Sequence, residues 1–160
     1  MNAEFNEMQL KLTLYCLGQD WSGGCFRLEV EFASGGDGEL MGVMRMTQFN
    51  LDWSFRFICA GYDLESFVTE LMLLNEGKRS EARFVNQEES LHLCLEAMPS
   101  PNKPLIITGQ VKSIAPDFTF KVPFGGFRSE ASLVPEMVRC IREFLTVTNV
   151  TTVHPMTLHS

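Results

Sequence analysis

The feature that most constrains the fold is a two-residue alternation of apolar and polar side chains that recurs along most of the chain. In the cleanest run, positions 26, 28, 30 and 32 are apolar, and the positions between them carry charged side chains. A period of two puts alternate side chains on opposite faces of a strand. The run therefore predicts a strand with one buried face and one hydrated face.

The same alternation predicts strands over 10–16, 51–57, 91–95, 105–111 and 118–122. Weaker patterns lie over 39–49, where Met44 breaks the alternation, and over 82–85. Linkers between the first strands are too short for helical crossovers, which favours antiparallel pairing. Within the strand over 51–57, Ser54 and Arg56 fall on the hydrated face, so we expect them to point to water or to a partner.

Two segments change to a helical period. Asp63 is a good N-cap for a helix over about 64–76, and Gly77 is placed to end it in a left-handed conformation. Ser132 can cap a second helix over about 133–146, in which Pro135 is tolerated in the first turn. Apolar side chains follow both caps at helical spacing.

This order of elements predicts an α+β fold: a curved, mainly antiparallel sheet of about 7–8 strands with two helices packed on one face. The whole chain, 1–160, suits a single domain. Glycines predict loops over 34–38 and 124–127. The uncharged, β-branched segment 147–160 is expected to be a flexible tail or an extra strand, and its pairing with another subunit's sheet edge would give a homodimer.

The net charge of −7 restricts the partners of the chain. It argues against nucleic acid and against anionic membrane surfaces, because both need a basic footprint. It is compatible with a basic protein partner, although solubility is the commoner reason for such a charge. The acidic N-terminus and the lack of a long apolar run predict no signal peptide, no membrane span and a cytoplasmic location.

The titratable residues form no pattern typical of catalysis or metal binding. Of three histidines, His92 lies in a predicted strand, and His154 and His159 lie in the C-terminal segment, where a metal site is only a remote alternative. The five cysteines are scattered, which favours buried free thiols in a reducing compartment. We therefore expect no catalytic residue, no metal, no cofactor and no enzyme activity.

Two kinds of residue are candidates for contact with a partner. Tryptophan is enriched at the energetic centres of interfaces, and acidic side chains suit a basic partner. Each also has an ordinary role, since tryptophans pack in cores and acids form solvated faces. The candidates are Trp21, Trp53, Asp63, Glu65, Glu70, Glu76, Glu88 and Glu89.

A set of structural motifs over residues 20–145 resembles a known family. The motifs are Asp20-Trp21 before the strand 26–30, a helix 63–77 closing on Gly77, Phe84 with the pair Glu88-Glu89 before a strand, and Leu133, Ile141, Phe144 and Leu145 in a terminal helix. They are similar to those of small bacterial proteins known as WapI-type immunity proteins. The resemblance implies a non-enzymatic, toxin-neutralising binder, with no catalytic residues to carry over.

The sequence therefore favours a non-enzymatic cytoplasmic protein-binding domain, with neutralisation of a basic toxin as the role that the resemblance implies. The alternative is a small-ligand binder that holds an apolar molecule between sheet and helices. Thirteen phenylalanines and nine methionines suit an adaptable apolar pocket. An unrecognised enzyme is a third hypothesis.

Overall fold

The computed structural model describes residues 2–5, 9–17, 26–35, 38–48, 51–99, 104–114, 117 and 119–148. In these ranges the chain forms antiparallel strands and two helices, which confirms the predicted α+β class. The strands are divided between two sheets, of five and four strands, where the alternation pattern alone suggested one curved sheet.

Sheet A is an antiparallel meander, so each strand pairs with the next along the chain. Its strands are β1 (Asn2–Phe5), β2 (Gln9–Leu17), β3 (Phe26–Ser34), β4 (Glu39–Gln48) and β5 (Leu51–Ala60). The sequence pattern missed β1, which is too short to show an alternation. Strand β4 is more regular than predicted, because Met44 lies on the buried face in step with Leu40 and Met46.

Helix α1 (Gly61–Asn75) begins three residues before the predicted start. Asp63 is therefore not the N-cap but lies within the first turn, where its carboxylate accepts a hydrogen bond from the backbone N–H of Ala60 at 2.9 Å. The backbone N–H of Ala60, at the start of the helix, thus finds its acceptor in a side chain of the first helical turn. The helix ends as predicted, with Gly77 at a φ of 74°.

Sheet B contains β6 (Glu81–Val85), β7 (Leu91–Ala97), β8 (Pro104–Ile114) and β9 (Thr119–Glu130). The loop predicted over 124–127 is wrong, because β9 runs through it as a strand. Ile107 pairs with Phe127 and Thr108 pairs with Gly125, so Gly126 is an extra residue with a φ of 83°. The two glycines thus form a β-bulge, which keeps the strand paired on both sides of it.

Helix α2 (Leu133–Thr148) extends into the segment predicted as a tail. The hydroxyl groups of Thr146 and Thr148 donate to the carbonyl oxygens of Arg142 and Phe144, each at 2.8 Å. These bonds to the preceding turn accommodate β-branched threonines in a helix. The rest of the predicted tail, 149–160, lies outside the described residues.

The two sheets and α1 meet at an aromatic cluster centred on Phe84 of β6. Its ring lies 5.8 Å from Phe32, 6.1 Å from Phe57 and 5.7 Å from Phe67, measured between centroids, and all three pairs are edge-on. Edge-on aromatic pairs add attraction beyond the area that they bury. The cluster therefore fixes how sheet B and α1 sit against sheet A.

Helix α2 covers the other end of sheet A. It packs on β1 and β2, and Phe144 contacts Phe5 with ring centroids 6.5 Å apart. The Cys140 thiol donates to the carbonyl oxygen of Ala3 at 3.3 Å. Neither described helix is both long and apolar enough to cross a bilayer.

Candidate functional site

Strand β5 forms an edge of sheet A, because β4 is its only hydrogen-bonded neighbour among the described strands. The carbonyl oxygen of Ile58 accepts a hydrogen bond from the Asn86 side chain, and the N–H of Ala60 donates one to the Asp63 carboxylate. Neither partner belongs to β4, so these two backbone groups of β5 point away from β4. In a strand the N–H and C=O groups of every second residue point to the same side. The backbone groups of Ser54, Arg56 and Ile58 therefore face the outside of the sheet.

Part of this edge has no backbone partner among the residues that the structure describes. No described residue forms a hydrogen bond with the backbone of Ser54 or Arg56 on that side, and the N–H of Ile58 likewise has no described partner. The side chains of Ser54 and Arg56 are exposed, which confirms that they lie on the hydrated face. A row of unpaired N–H and C=O groups is a template on which another strand can pair.

The turn between β6 and β7 closes one end of this edge. Asn86 is buried, and its side-chain amide donates to the carbonyl oxygen of Ile58 at 3.0 Å and to the Ser90 hydroxyl at 2.8 Å. The Asp63 carboxylate accepts from the Gln87 N–H at 3.1 Å as well as from the start of α1. These two polar side chains hold the β6–β7 turn against the end of β5.

A cleft of about 540 Å³ lies beside the unpaired edge. One wall consists of residues 55–58 of β5 with Met41 of β4, and the other of Glu88, Ser90, Lys112 and Ser113. We call it the edge cleft. Met41 is 49% exposed and adds an apolar side chain to the lining. The cleft therefore combines exposed apolar surface, hydroxyl groups and charge.

Two basic side chains without an acidic partner among the described residues line the edge cleft. Arg56 and Lys112 come from different sheets, and neither forms an ion pair with a described residue. Lys121 lies directly across from Lys112 in the β8–β9 register, and it also forms no ion pair with a described residue. Like charges opposite each other on neighbouring strands are destabilising. Glu88 is the acidic residue in the lining.

Most other basic residues in the described ranges are paired with an acid. The pairs are Lys11 and Arg27 with Glu29, Arg45 with Glu31, Lys78 with Glu76, Arg79 with Glu70, Arg83 with Glu81, and Arg139 with Glu143. In a chain with a net charge of −7, cations without partners stand out. Of the five described cations outside these ion pairs, Arg56 and Lys112 line the cleft, and together with Glu88 they give its lining a net charge of +1.

Three of the acidic partner candidates already have contacts inside the fold. Asp63 is buried at the start of α1. Glu70 accepts from the Arg83 N–H at 3.0 Å and lies 3.7 Å from the Arg79 guanidinium, and Glu76 lies 3.1 Å from Lys78. The acidic helix is thus not a continuous face of uncommitted carboxylates.

The remaining candidates are divided between two places. Glu65 is exposed on α1, whereas Glu88 and Glu89 are exposed in the β6–β7 turn, where Glu89 has a φ of 58°. Trp53 is half-buried and its ring packs edge-on against Phe124, with centroids 6.1 Å apart, so it joins sheet A to β9. Trp21 lies outside the described residues.

The structure brings no histidine, cysteine and carboxylate together as a metal-binding group within the described ranges. His92 is half-buried on the outward face of β7, in a shallow depression with Thr108 and Gln110.

Burial raises the pKa of the Cys140 thiol, and burial with a hydrogen bond to Glu81 raises the pKa of Cys94 to about 11. At neutral pH both are neutral thiols rather than nucleophilic thiolates.

A second depression, of about 480 Å³, lies between the end of α1 and the start of α2. Its apolar lining includes Leu74, Met98, Leu105 and Val134, and Glu76 and Arg79 stand beside them. We call it the helix-end pocket. Its volume and apolar lining offer room for a small apolar ligand.

The sequence identified some of these residues and missed others. The alternation in β5 placed Ser54 and Arg56 on the hydrated face, and Glu88 was a partner candidate. Lys112, Lys121 and Asn86 were missed, because nothing in their local pattern tells them from ordinary strand and turn residues. The available signal was one lysine directly after a predicted strand and another within the next predicted strand, and recognising that they are neighbours requires the β8–β9 register.

No family model and no curated protein matches the chain. Among solved structures, it is similar to MRP1/MRP2 of Trypanosoma brucei, with 13% identical residues and a TM-score of 0.46. The alignment covers 90% of this chain and 87% of that chain. The resemblance to WapI-type immunity proteins stays a prediction.

Proposed function

We propose that this chain is a non-enzymatic protein-binding domain and that its contact surface is the edge cleft. The observation that carries the proposal is the stretch of β5 beside the cleft whose outward backbone groups have no partner among the described residues. Natural proteins usually cover or interrupt such an edge, because it pairs readily with other chains. Here it adjoins exposed Met41 and unpaired basic side chains, which suits contact with a partner.

Neutralisation of a basic toxin is the more specific form of this proposal that the family resemblance implies. Its support in the fold is limited to the exposed acids Glu65, Glu88 and Glu89. Glu88 lines the edge cleft, and Glu89 is its neighbour in the chain. The general and the toxin-neutralising forms of the proposal therefore concern neighbouring surfaces.

Site-specific photo-crosslinking in cells of the source organism tests the proposal. A benzophenone amino acid is placed at Met41 in the cleft, at Glu65 on the acidic helix, or at Glu143 of α2, which does not line the cleft. All three positions are exposed, so the matched variants should fold alike. We expect a discrete protein adduct from position 41 and none from position 143.

The other outcomes separate the alternatives. An adduct from position 65 alone moves the contact to the acidic helix and favours the toxin-neutralising form. If no position gives a protein adduct, while the wild-type protein is present at normal levels, the chain is not a protein-binding domain and the proposal fails.

Binding of a small apolar ligand is the second candidate, and the helix-end pocket favours it. The pocket gathers apolar side chains from α1, β8 and α2 in a volume of about 480 Å³, which lies in the range typical of ligand sites. Native mass spectrometry of the gently purified protein tests this candidate. A bound mass that disappears on denaturation supports it, and a bare polypeptide mass argues against it.

A further inference from the structure

We propose that the edge cleft accepts an extended acidic segment of a partner protein, which adds to β5 as a sixth strand of sheet A. The inference rests on the proposed protein-binding function and specifies the chemistry of the partner. It is supported by three properties of the cleft: the unpaired backbone, the unpaired cations and the alternation of side chains along β5.

The backbone of β5 provides the pairing groups. Ser54 and Arg56 each have an outward N–H and C=O without a described partner. Ile58 has only its N–H available, because its carbonyl oxygen already accepts a hydrogen bond from Asn86. These residues span roughly 17 Å, at about 3.4 Å per residue. This length fits a segment of about five to six residues, bound by strand addition.

The charges in the cleft select an anionic segment. Arg56 of sheet A and Lys112 of sheet B both line it, and Lys121 pairs with Lys112 in the β8–β9 register. A carboxylate bound between these groups would form charge-assisted hydrogen bonds and relieve the repulsion within the lysine pair. A basic segment would instead meet the two cations of the lining, Arg56 and Lys112, and the single carboxylate of Glu88.

The alternation along β5 predicts the pattern of the segment. Arg56 lies on the outward face of sheet A, whereas Phe55 and Phe57 lie on the inward face. Side chains of an added strand alternate in the same way. The segment that fits best therefore alternates acidic residues, beside Arg56, with apolar residues, beside the phenylalanines.

These features favour a peptide over a single-stranded nucleic acid. A nucleic acid would use the cations but would leave the N–H and C=O groups of β5 unpaired. Its closely spaced phosphates would also meet Glu88 at every register. A peptide satisfies the backbone edge and can place an apolar residue near Glu88.

The first test measures binding of a fluorescent hexapeptide that alternates glutamate and valine, by fluorescence anisotropy with the full chain. Arg56→Gln and Lys112→Gln should each weaken binding about tenfold, because each removes a charge-assisted contact. Arg128→Gln is the matched control, since Arg128 is an exposed base without a described acidic partner that does not line the cleft. It should leave the affinity unchanged.

The acidic residues provide a test of the opposite sign. Glu88→Gln removes the carboxylate in the lining and should strengthen binding about threefold, since it removes a like-charge repulsion. Glu89→Gln changes the neighbouring exposed residue, which does not line the cleft, and should have no effect. Weaker binding on Glu88→Gln would contradict the inferred sign of the partner's charge.

Strand addition is tested on the peptide, so that no protein variant needs to fold. N-methylation of a backbone amide removes its hydrogen-bond donor. One peptide probe is N-methylated at its odd-numbered residues and the other at its even-numbered residues. One register should lose binding and the other should retain it, because only every second amide faces β5. Equal loss or equal retention in both probes would overturn strand addition.

Two further probes decide between partner classes. A hexapeptide alternating lysine and valine should not bind; if it binds and the acidic peptide does not, the acidic-segment inference is wrong. A thymidine oligonucleotide that binds more tightly than the acidic peptide overturns it in favour of nucleic acid. If no peptide binds but position 41 still crosslinks to a protein in cells, the inference fails while the proposed function stands.

Discussion

The side-chain amide of Asn86 donates a hydrogen bond to the carbonyl oxygen of Ile58 at 3.0 Å and so joins the edge of sheet A to the first hairpin of sheet B. Asn86 is only 1% exposed and also accepts from the Leu91 N–H at 2.9 Å. One buried side chain thus shapes the hairpin and ends the unpaired stretch of β5.

Replacement of this side chain should destabilise the fold measurably. Asn86→Ala leaves the Leu91 N–H and the Ile58 carbonyl oxygen without their partner, and unsatisfied buried polar groups cost about 1–3 kcal/mol. Urea unfolding of the variant should show this loss in the free energy of unfolding. Gln87→Ala, an exposed neighbour, is the control and should change it by less than about 0.5 kcal/mol. Equal effects would mean that the hydrogen bonds of Asn86 do not stabilise the junction.

The aromatic cluster makes a second prediction, at Phe84. Phe84→Leu keeps an apolar side chain but removes three edge-on ring pairs, so the free energy of unfolding should fall by about 2–4 kcal/mol. Phe120→Leu changes a ring that is 54% exposed and should cost less than about 0.5 kcal/mol. Thermal and urea unfolding of both variants measure the difference. A loss at Phe84 no larger than that at Phe120 would show that the cluster does not hold the sheets together.

The β-bulge makes a third prediction, at its two glycines. Both have positive φ, 134° at Gly125 and 83° at Gly126, but a Cβ on Gly125 would lie 2.7 Å from the Ile107 carbonyl oxygen. A Cβ on Gly126 meets nothing within 4 Å. Gly125→Ala should therefore cost at least about 1 kcal/mol more than Gly126→Ala in urea unfolding. The reverse order would place the bulge elsewhere in β9.

The thiol of Cys94 makes a prediction about pH. Burial and the hydrogen bond to Glu81 raise its pKa from 9.0 to about 11, so the folded state holds the proton more tightly than the unfolded chain. The resulting stabilisation is fully present below pH 9 and is lost as the pH rises towards 11. The urea midpoint of the wild type should fall more steeply over this window than that of Cys94→Ala. Parallel pH profiles would contradict the raised pKa.

The local period of the sequence determined much of the secondary structure. Alternating residues in β2, β3, β5 and β7 predicted these strands and their buried faces, because a strand exposes alternate side chains to opposite environments wherever it lies. The exposure of Arg56 followed in the same way. Both helices were also evident, although α1 begins earlier and α2 ends later than the predicted bounds.

Residues at element boundaries were harder to predict, because their roles depend on partners distant in the chain. Asp63 was expected at the helix cap or at a partner surface, yet its carboxylate bonds to Ala60 and to Gln87 of the β6–β7 turn. Gly125 and Gly126 are typical of a loop, but pairing with β8 makes them part of a strand.

The sequence by itself determined the α+β class, the antiparallel strands and which face of most strands is buried, since these follow from side-chain periodicity and short linkers. The fold as a whole decided that the strands divide into two sheets, that α1 and sheet B pack around Phe84, and that Arg56 and Lys112 line the same cleft. These arrangements depend on contacts between segments far apart in the chain. Such contacts are selected by packing and hydrogen bonding in the whole fold, and no local pattern encodes them.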